Sequence, residues 1–211
     1  MIYILGNGGF ANEVGSYLKF MGLTSYMRLT FNENNFFLDN TIFHPVIDDS
    51  YDNTFILGTG DLHTRSKAIE LVCKSYPNTR MNRLFRNVIV DSKTIITVNN
   101  KGYGNIYCPG TKILSPEIII GNFNLFNANC TLCHDNILGN NNILCPNIMS
   151  LGNVKIGNNN FIGSSVTILP GVSMGDNNSV TAGITLRNSI SNNRKVRIKK
   201  GLDNVSIFPS M

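Results

Sequence analysis

The sequence predicts a small Rossmann-like α/β domain over residues 1–80, followed by a parallel β-helix over residues 81–211. Three observations support this prediction. The chain opens on an apolar strand and a Gly-rich turn, a second strand and helix pattern follows, and a six-residue period then runs from Ile106 to about residue 190. With 42% apolar and 15% charged residues, the composition is that of a folded chain.

The α/β domain is predicted from "MIYILGNGGFANEV", which has the pattern of a strand, a turn and a helix that continues to Phe20. Gly6, Gly8 and Gly9 form the turn, and such a turn lets backbone N–H groups face a phosphate. The full dinucleotide fingerprint is missing, so a purely structural turn is the alternative. "NTFILGTGD" and "LHTRSKAIELVCKSY" predict a second strand and helix, with "LTFNENNFFLDN" as strand end and loop. We expect a parallel sheet.

The β-helix is predicted from blocks of six residues counted from Ile106. Thirteen of the fourteen third positions are apolar, and Ser150 is the exception. A six-residue period builds three short strands per coil, with the third residue of each block pointing inward. Asn and Gly at the corners suit the positive φ of tight turns. The third positions are Cys108, Leu114, Ile120, Phe126, Leu132, Leu138, Leu144, Ser150, Ile156, Ile162, Ile168, Met174, Val180 and Leu186; the same phase extends back to Val90 and Ile96.

Cys130, Cys133 and His134 have the spacing that attaches a c-type haem. The repeat favours a different interpretation, in which Leu132 points inward and the three residues are placed by the coil. A haem site would need export and room for a porphyrin, and a zinc site would need a fourth ligand. We therefore expect no metal, and we expect Cys130 and Cys133 to be packing residues.

The net charge of +5 is too small and too scattered to argue for a nucleic-acid partner. Part of it forms a basic C-terminal tail, which is either solvated or a rim for a phosphate-bearing ligand. Neither a signal-peptide pattern nor a membrane-spanning stretch is present in the sequence, so we expect a cytoplasmic protein without a membrane partner. The residues of the basic tail are Arg187, Arg194, Lys195, Arg197, Lys199 and Lys200.

The Gly turn and the hexads together resemble a family of acetyl-CoA-dependent transferases with a left-handed β-helix. This family comprises the nucleotide-amino-sugar N-acetyltransferases and the sialic acid O-acetyltransferases. The resemblance covers nearly the whole chain and is strongest in "NANCTLCHDNILGNN" and "LGNVKIGNNNFIGSSVTILPG". It implies His134 as the catalytic base, Asp135 as its acidic partner and Asn127 in the sugar site. It further implies that the nucleotide lies at Gly6, Gly8 and Gly9, and that acetyl-CoA lies near Ile143, Gly152, Ser164 and Ala182.

The resemblance implies acetylation of the 4-amino group of a nucleotide-linked amino-deoxy sugar, for bacterial surface glycan such as lipopolysaccharide. A histidine suits this chemistry because it titrates near neutral pH and can accept the proton of the attacking amine. The family also implies a homotrimer with active sites between subunits. Phe10 departs from the histidine that often follows the Gly turn, and an acidic pair after the second strand is not obvious. O-acetylation of a sugar and a non-catalytic β-helix scaffold are the alternatives.

Overall fold

The computed structural model describes residues 1–45, 54–90, 94–98, 100–198 and 205–209. An α/β unit comes first, and its sheet has the strand order β4-β3-β2-β1-β5. Strand β1 is parallel to β2 and β5, whereas β3 runs antiparallel to both β2 and β4. The elements of this unit are β1 (Ile2–Leu5), α1 (Gly9–Phe20), β2 (Tyr26–Phe31), β3 (Phe36–Leu38), β4 (Thr41–Phe43), β5 (Thr54–Leu57), α2 (Leu62–Ser75) and α3 (Met81–Leu84).

The sheet is mixed, and the expectation of a parallel sheet is wrong for β3 and β4. The segment expected to be a loop instead continues as a hairpin, whose turn is closed by the side chain of Asn32. Its Oδ1 accepts hydrogen bonds from the backbone N–H groups of Asn34 and Asn35, each at 2.9 Å. Beyond the turn, Phe36 is buried and stacks on Phe55 with the ring centroids 5.7 Å apart. Burial of this aromatic side chain favours the strand over a loop.

The coil contains seventeen short strands on three faces. We call the face of β6, β9, β12, β15, β18 and β21 the first face, that of β7, β10, β13, β16, β19 and β22 the second, and that of β8, β11, β14, β17 and β20 the third. The strands are β6 (Val88–Ile89), β7 (Ile95–Ile96), β8 (Asn100–Lys101), β9 (Ile106–Tyr107), β10 (Lys112–Ile113), β11 (Ile119–Ile120), β12 (Leu125–Phe126), β13 (Thr131–Leu132), β14 (Ile137–Leu138), β15 (Ile143–Leu144), β16 (Met149–Ser150), β17 (Lys155–Ile156), β18 (Phe161–Ile162), β19 (Thr167–Ile168), β20 (Ser173–Met174), β21 (Ser179–Val180) and β22 (Thr185–Leu186).

The inward column follows the predicted phase from Ile120 to Leu186, but it is shifted by one residue at Tyr107 and Ile113. Ile96 pairs with Ile113 and packs against the coil core, as predicted. Ile113 is buried and pairs with Leu132, 19 residues later, whereas Leu132 pairs with Ser150, 18 residues later. The extra residue lies in the turn between β10 and β11. Leu114 is consequently 48% exposed, and its predicted inward position is wrong. Tyr107, rather than Cys108, belongs to the coil core at the start of the column.

The corners of the coil use left-handed backbone, as predicted for Asn and Gly. Their side chains also form a ladder inside the coil: Asn142 N–H donates to Asn124 Oδ1, and Asn160 N–H donates to Asn142 Oδ1, both at 2.9 Å. These buried amides therefore find partners one coil away, which offsets the cost of their burial. The corner asparagines with positive φ are Asn129, Asn141, Asn147, Asn153, Asn159, Asn177 and Asn193.

The basic C-terminal segment is not a solvated tail where the structure describes it. Strands β23 (Arg194–Ile198) and β24 (Val205–Pro209) form an antiparallel hairpin, and β23 pairs with β21 to extend the first face. Val196 is buried and closes the coil core. The alternation of apolar and basic residues in this segment explains the strand, since Lys195 and Arg197 lie on the opposite side from Val196. Lys199 and Lys200 lie outside the described residues.

The two units share an apolar core. Ala11, Val14 and Leu18 of helix α1 belong to one buried apolar cluster with Leu125 and Ile143 of the first face. The periodicity of the three helical residues, three and four positions apart, puts them on one side of the helix. The α/β unit is thereby fixed against the coil. Among the described residues no helix has the length and apolarity required to cross a membrane.

Tyr107 provides a test of the coil interior. Its ring stacks on Phe126 at 4.9 Å, and its buried hydroxyl has no hydrogen-bond partner. Because the unpaired hydroxyl lost its hydration on folding, we expect Tyr107→Phe to raise the free energy of unfolding by about 1 kcal/mol. Denaturant unfolding of the two proteins measures this difference. A lower midpoint for the variant would mean that the hydroxyl has a partner such as an internal water.

Candidate functional site

His134 and Asp135 meet at the corner between the second and third faces. The turn joins Leu132 at the end of β13 to Ile137 at the start of β14. Asp135 has φ +58°, which turns its carboxylate back toward the preceding residue. Its Oδ2 lies 2.8 Å from His134 Nδ1, and the two side chains are 58% and 70% exposed. Neighbouring residues in a strand would point to opposite sides, so the corner is what brings the pair together.

The pair fixes the chemistry that the imidazole can perform. The imidazole N–H at Nδ1 donates to the Asp135 carboxylate, and this tautomer leaves a lone pair on Nε2. The carboxylate also stabilises the imidazolium that forms if Nε2 takes up a proton. The arrangement is therefore suited to a general base that acts at the surface of the coil.

The corner is held from below by Asn136 and Ser150, which the sequence analysis did not single out as site residues. Asn136 is buried, and its Nδ2 donates to the carbonyl groups of Cys133 and Leu151, each at 2.7 Å. Its Oδ1 accepts a hydrogen bond from the Ser150 hydroxyl. This explains the break in the apolar column, because Ser150 completes the hydrogen bonding of the amide that supports the corner. The break was the sequence signal for this support.

Gly152 lies directly beneath the His134 ring, one coil further along. A Cβ atom at this position would lie 2.4 Å from His134 Cε1 and 2.5 Å from Nε2. Its neighbour Asn153 donates its backbone N–H to the His134 carbonyl at 3.0 Å. The absence of a side chain at residue 152 therefore sets the position of the imidazole.

We expect Gly152→Ala to displace the His134 ring and to lower kcat by about 100-fold, because small misplacements of a reacting group are costly. The matched control is Gly157→Ala, which crowds the backbone of Gly175 and the side chain of Asp176 at a different corner. Steady-state kinetics and thermal unfolding of both variants separate the effects. Equal losses of kcat would attribute the effect to a general distortion of the coil.

The structure places Asn127, Ser164 and Ala182 at another corner, between the first and second faces. The backbone carbonyl of Ser164 accepts a hydrogen bond from the Gly183 N–H at 2.9 Å, and Ala182 packs beneath Gly163. Asn127 is half-buried, two coils above Ser164. His134 lies at the other edge of the second face, on the order of 20 Å from Asn127 by strand geometry. A single chain therefore does not bring these residues together.

Ile143 is separated from the other predicted cofactor positions. It is 1% exposed and lies on the first face, in the core shared with helix α1. Gly152 lies at the corner between the second and third faces. The Ile143 side chain is thus buried in the core between the two units, and the expected contact of its backbone with acetyl-CoA stays a prediction.

Gly6, Gly8 and Gly9 line a cavity of about 800 Å³ in the α/β unit. It opens at the carboxyl ends of the parallel strands β1 and β5 and borders the N-terminus of α1, which has no side-chain cap. This is the position at which α/β folds bind nucleotides. Its other lining residues are Asn7, Phe10, Thr30, Phe31, Asn32, Glu33, Asn34, Gly58, Thr59, Gly60, Thr64 and Lys67.

Two features of this cavity come from the tertiary structure. Gly6 has φ +131°, and a Cβ there would lie 2.7 Å from the Gly58 carbonyl oxygen, so the two Gly loops touch. At the rim, Lys67 Nζ lies 3.3 Å from Glu33 Oε1. The hairpin turn after β2 thereby contributes an acidic residue that the sequence did not place at the site.

Two of the cysteines, Cys108 and Cys130, are buried. Burial raises the pKa of Cys108 and of Cys130 to about 12. Cys130 Sγ lies 3.2 Å from the Cys145 carbonyl oxygen. No group of three or more His, Cys, Asp or Glu residues with metal-binding geometry occurs within the described ranges. Neutral buried thiols are poor nucleophiles and poor ligands.

Several solved structures share this fold along their whole length. WeeI from Acinetobacter baumannii AYE is 19% identical, with 99% of each chain covered and a TM-score of 0.75. PerB from Caulobacter crescentus, in complex with CoA and GDP-perosamine, is 21% identical over 98% of this chain and 96% of its own, with a TM-score of 0.75. The acetyltransferase domain of PglB from Neisseria gonorrhoeae FA1090, in complex with acetyl coenzyme A, is 17% identical over 92% and 94%, with a TM-score of 0.66.

The likeness to these structures extends over both units, so the predicted fold, an α/β domain followed by a left-handed β-helix, is confirmed. No protein-family model and no curated protein matches the sequence.

Proposed function

We propose that the protein is an acetyl-CoA-dependent N-acetyltransferase acting on the 4-amino group of a nucleotide-linked amino-deoxy sugar, in the synthesis of a bacterial surface glycan. The observation that carries this proposal is the His134–Asp135 pair above Gly152 on the coil, in a chain whose α/β unit contains a Gly-lined cavity. The likeness in fold to PerB, described with CoA and GDP-perosamine, supports it.

In the proposed reaction the sugar amine attacks the thioester carbonyl carbon of acetyl-CoA. His134 Nε2 accepts the proton of the amine as the new C–N bond forms, and Asp135 stabilises the imidazolium. The tetrahedral intermediate then expels the CoA thiolate, which takes up a proton. We expect the backbone N–H of Gly152 to stabilise the oxyanion. The proposed reaction steps use neither a metal nor a covalent enzyme intermediate.

The proposed assembly is a homotrimer with active sites between subunits. Asn127 and His134 lie at opposite edges of the second face, so the sugar site and the base meet only if the corner of one copy approaches the other corner of a second copy. Exposed apolar residues on the second and third faces suit such contacts. These residues are Ile119, Ile137 and Met149.

The cavity of the α/β unit is proposed to hold the nucleotide. Its volume of about 800 Å³ lies in the range of small-molecule sites. The uncapped N-terminus of α1 and the Gly turn offer backbone N–H groups to a diphosphate. Lys67 lies at the rim, where its ammonium group is paired with Glu33.

The test is acetyl transfer from acetyl-CoA to a panel of nucleotide-linked amino sugars and to free sialic acid, with products identified by mass. We expect a gain of one acetyl group on a 4-amino sugar nucleotide, and its loss in His134→Ala. Acetylation of sialic acid alone would establish the O-acetyltransferase alternative. Failure to bind acetyl-CoA, together with no transfer to any acceptor, would favour the scaffold alternative. A stable monomer in sedimentation would contradict the shared site.

A further inference from the structure

Arg65 lies on helix α2 and is wholly buried between the α/β unit and the coil. Its guanidinium donates a hydrogen bond to the Thr59 carbonyl at 3.0 Å, on the loop that follows β5. It also donates to the Phe123 carbonyl at 2.6 Å and to Asn141 Oδ1 at 3.2 Å. Phe123 and Asn141 occupy the same corner of two successive coils. One side chain therefore joins the loop to two coils.

The three hydrogen-bond acceptors are neutral, so within the described residues this buried cation has no carboxylate among its hydrogen-bond partners. Burial lowers the pKa of Arg65 to about 10, and the side chain stays protonated at neutral pH. An apolar side chain would fill such an interior at lower cost. A guanidinium offers instead a rigid fork of donors with fixed directions. The choice of residue indicates that defined geometry between the two units matters here.

The coil side of this junction is itself fixed. Asn141 Nδ2 donates to Ser66 Oγ at 3.2 Å and to Asn159 Oδ1 at 3.0 Å. Asn141 therefore exchanges hydrogen bonds with helix α2 in both directions and is anchored to the next coil. Its φ of +51° is the left-handed corner conformation, so its position is set by the coil.

The loop held by Arg65 is a wall of the cavity. Gly58, Thr59 and Gly60 line it, and the Gly58 carbonyl touches the turn at Gly6. The loop contacts the Gly turn through Gly58, and its Thr59 carbonyl accepts a hydrogen bond from Arg65. The loop is therefore held between the Gly turn and the coil. The distance from the cavity to the coil is consequently set at this residue.

We propose that Arg65 is a positioning residue that fixes the cavity loop Gly58–Gly60 to the coil, so that a bound nucleotide sugar presents its amine in register with the acetyl-transfer corner. This inference rests on the proposed function. Arg65 does not touch the substrate, and its effect is transmitted through the Thr59 carbonyl.

The test compares Arg65→Met, Asn141→Gly and the control Asn193→Gly. Asn141→Gly removes the coil-side acceptor and keeps the left-handed backbone, so it does not depend on the folding of Arg65→Met. Asn193 is exposed and occupies the equivalent corner position, with φ +56°. In both junction variants we expect KM for the nucleotide sugar to rise by about tenfold with KM for acetyl-CoA unchanged. The control should show neither change.

Hydrogen exchange of the peptide covering residues 58–66 provides a readout that needs no substrate. We expect exchange to be about tenfold faster in Asn141→Gly than in Asn193→Gly, because the loop loses an anchor. Equal exchange, or equal rises in both KM values, would overturn the inference. A wild-type protein that transfers no acetyl group and binds neither UDP nor GDP would contradict the proposed function, and the exchange result would then decide the role of Arg65 in holding the loop.

Discussion

Replacing His134 with glutamine is expected to lower kcat by about 10²- to 10⁴-fold, with little change in either KM. Glutamine keeps a polar side chain of similar reach but cannot accept the proton of the attacking amine. Binding of both substrates should survive, because the imidazole is proposed to act on the proton in transit. Steady-state kinetics with each substrate varied in turn measure the two effects separately.

Asp135→Asn is the informative companion to this variant. An amide can still accept a hydrogen bond from Nδ1, but it carries no charge to stabilise the imidazolium. We expect a loss of kcat smaller than that of His134→Gln, because both side chains of the pair are exposed to solvent. If His134→Gln kept wild-type kcat, the general base would have to lie elsewhere and the proposed mechanism would be wrong.

Replacing Gly6 with alanine is expected to weaken nucleotide binding by about 100-fold and to destabilise the fold by ~1–3 kcal/mol. The position has φ +131°, and the new methyl group would lie 2.7 Å from the Gly58 carbonyl oxygen. Either the Gly turn or the loop Gly58–Gly60 must move, and both line the cavity. Calorimetric titration with UDP and GDP measures the loss of binding, and thermal unfolding measures the loss of stability.

The matched control is Gly22→Ala, just beyond the C-terminus of α1. Gly22 also has positive φ, at +77°, but a Cβ there meets no atom within 4 Å. Alanine at this position should cost about 1 kcal/mol of stability and leave nucleotide binding unchanged. Comparable losses of binding in the two variants would show that backbone strain anywhere in the α/β unit, rather than the cavity itself, weakens the site.

The repeat could be predicted from the sequence because the residue types within each hexad determine its local structure. An apolar residue points inward, and an Asn, Asp, Ser or Gly accepts the left-handed corner, so the prediction survives for Leu132 as well as for Leu186. The same local rule explains the error at Leu114. One extra residue in the turn between β10 and β11 shifts the phase at Tyr107 and Ile113, and whether Ile113 or Leu114 points inward depends on the neighbouring coil. Likewise, the strand at Phe36 depends on its contact with Phe55.

The sequence by itself determined the order of the two units, the coil and its corners, and the Gly turn, because these follow from residue types at fixed spacing. It also pointed to His134 and Asp135 through a resemblance. Only the tertiary structure decided that Gly152 supports the His134 ring, that Asn136 and Ser150 hold the corner, and that the α/β unit covers Ile143. It also showed that Arg65 of helix α2 hydrogen-bonds both the cavity loop and the coil. Among these contacts, the Ser150–Asn136 hydrogen bond spans 14 positions and the Arg65–Phe123 hydrogen bond spans 58. Packing alone brings such residues together, and local spacing does not encode it.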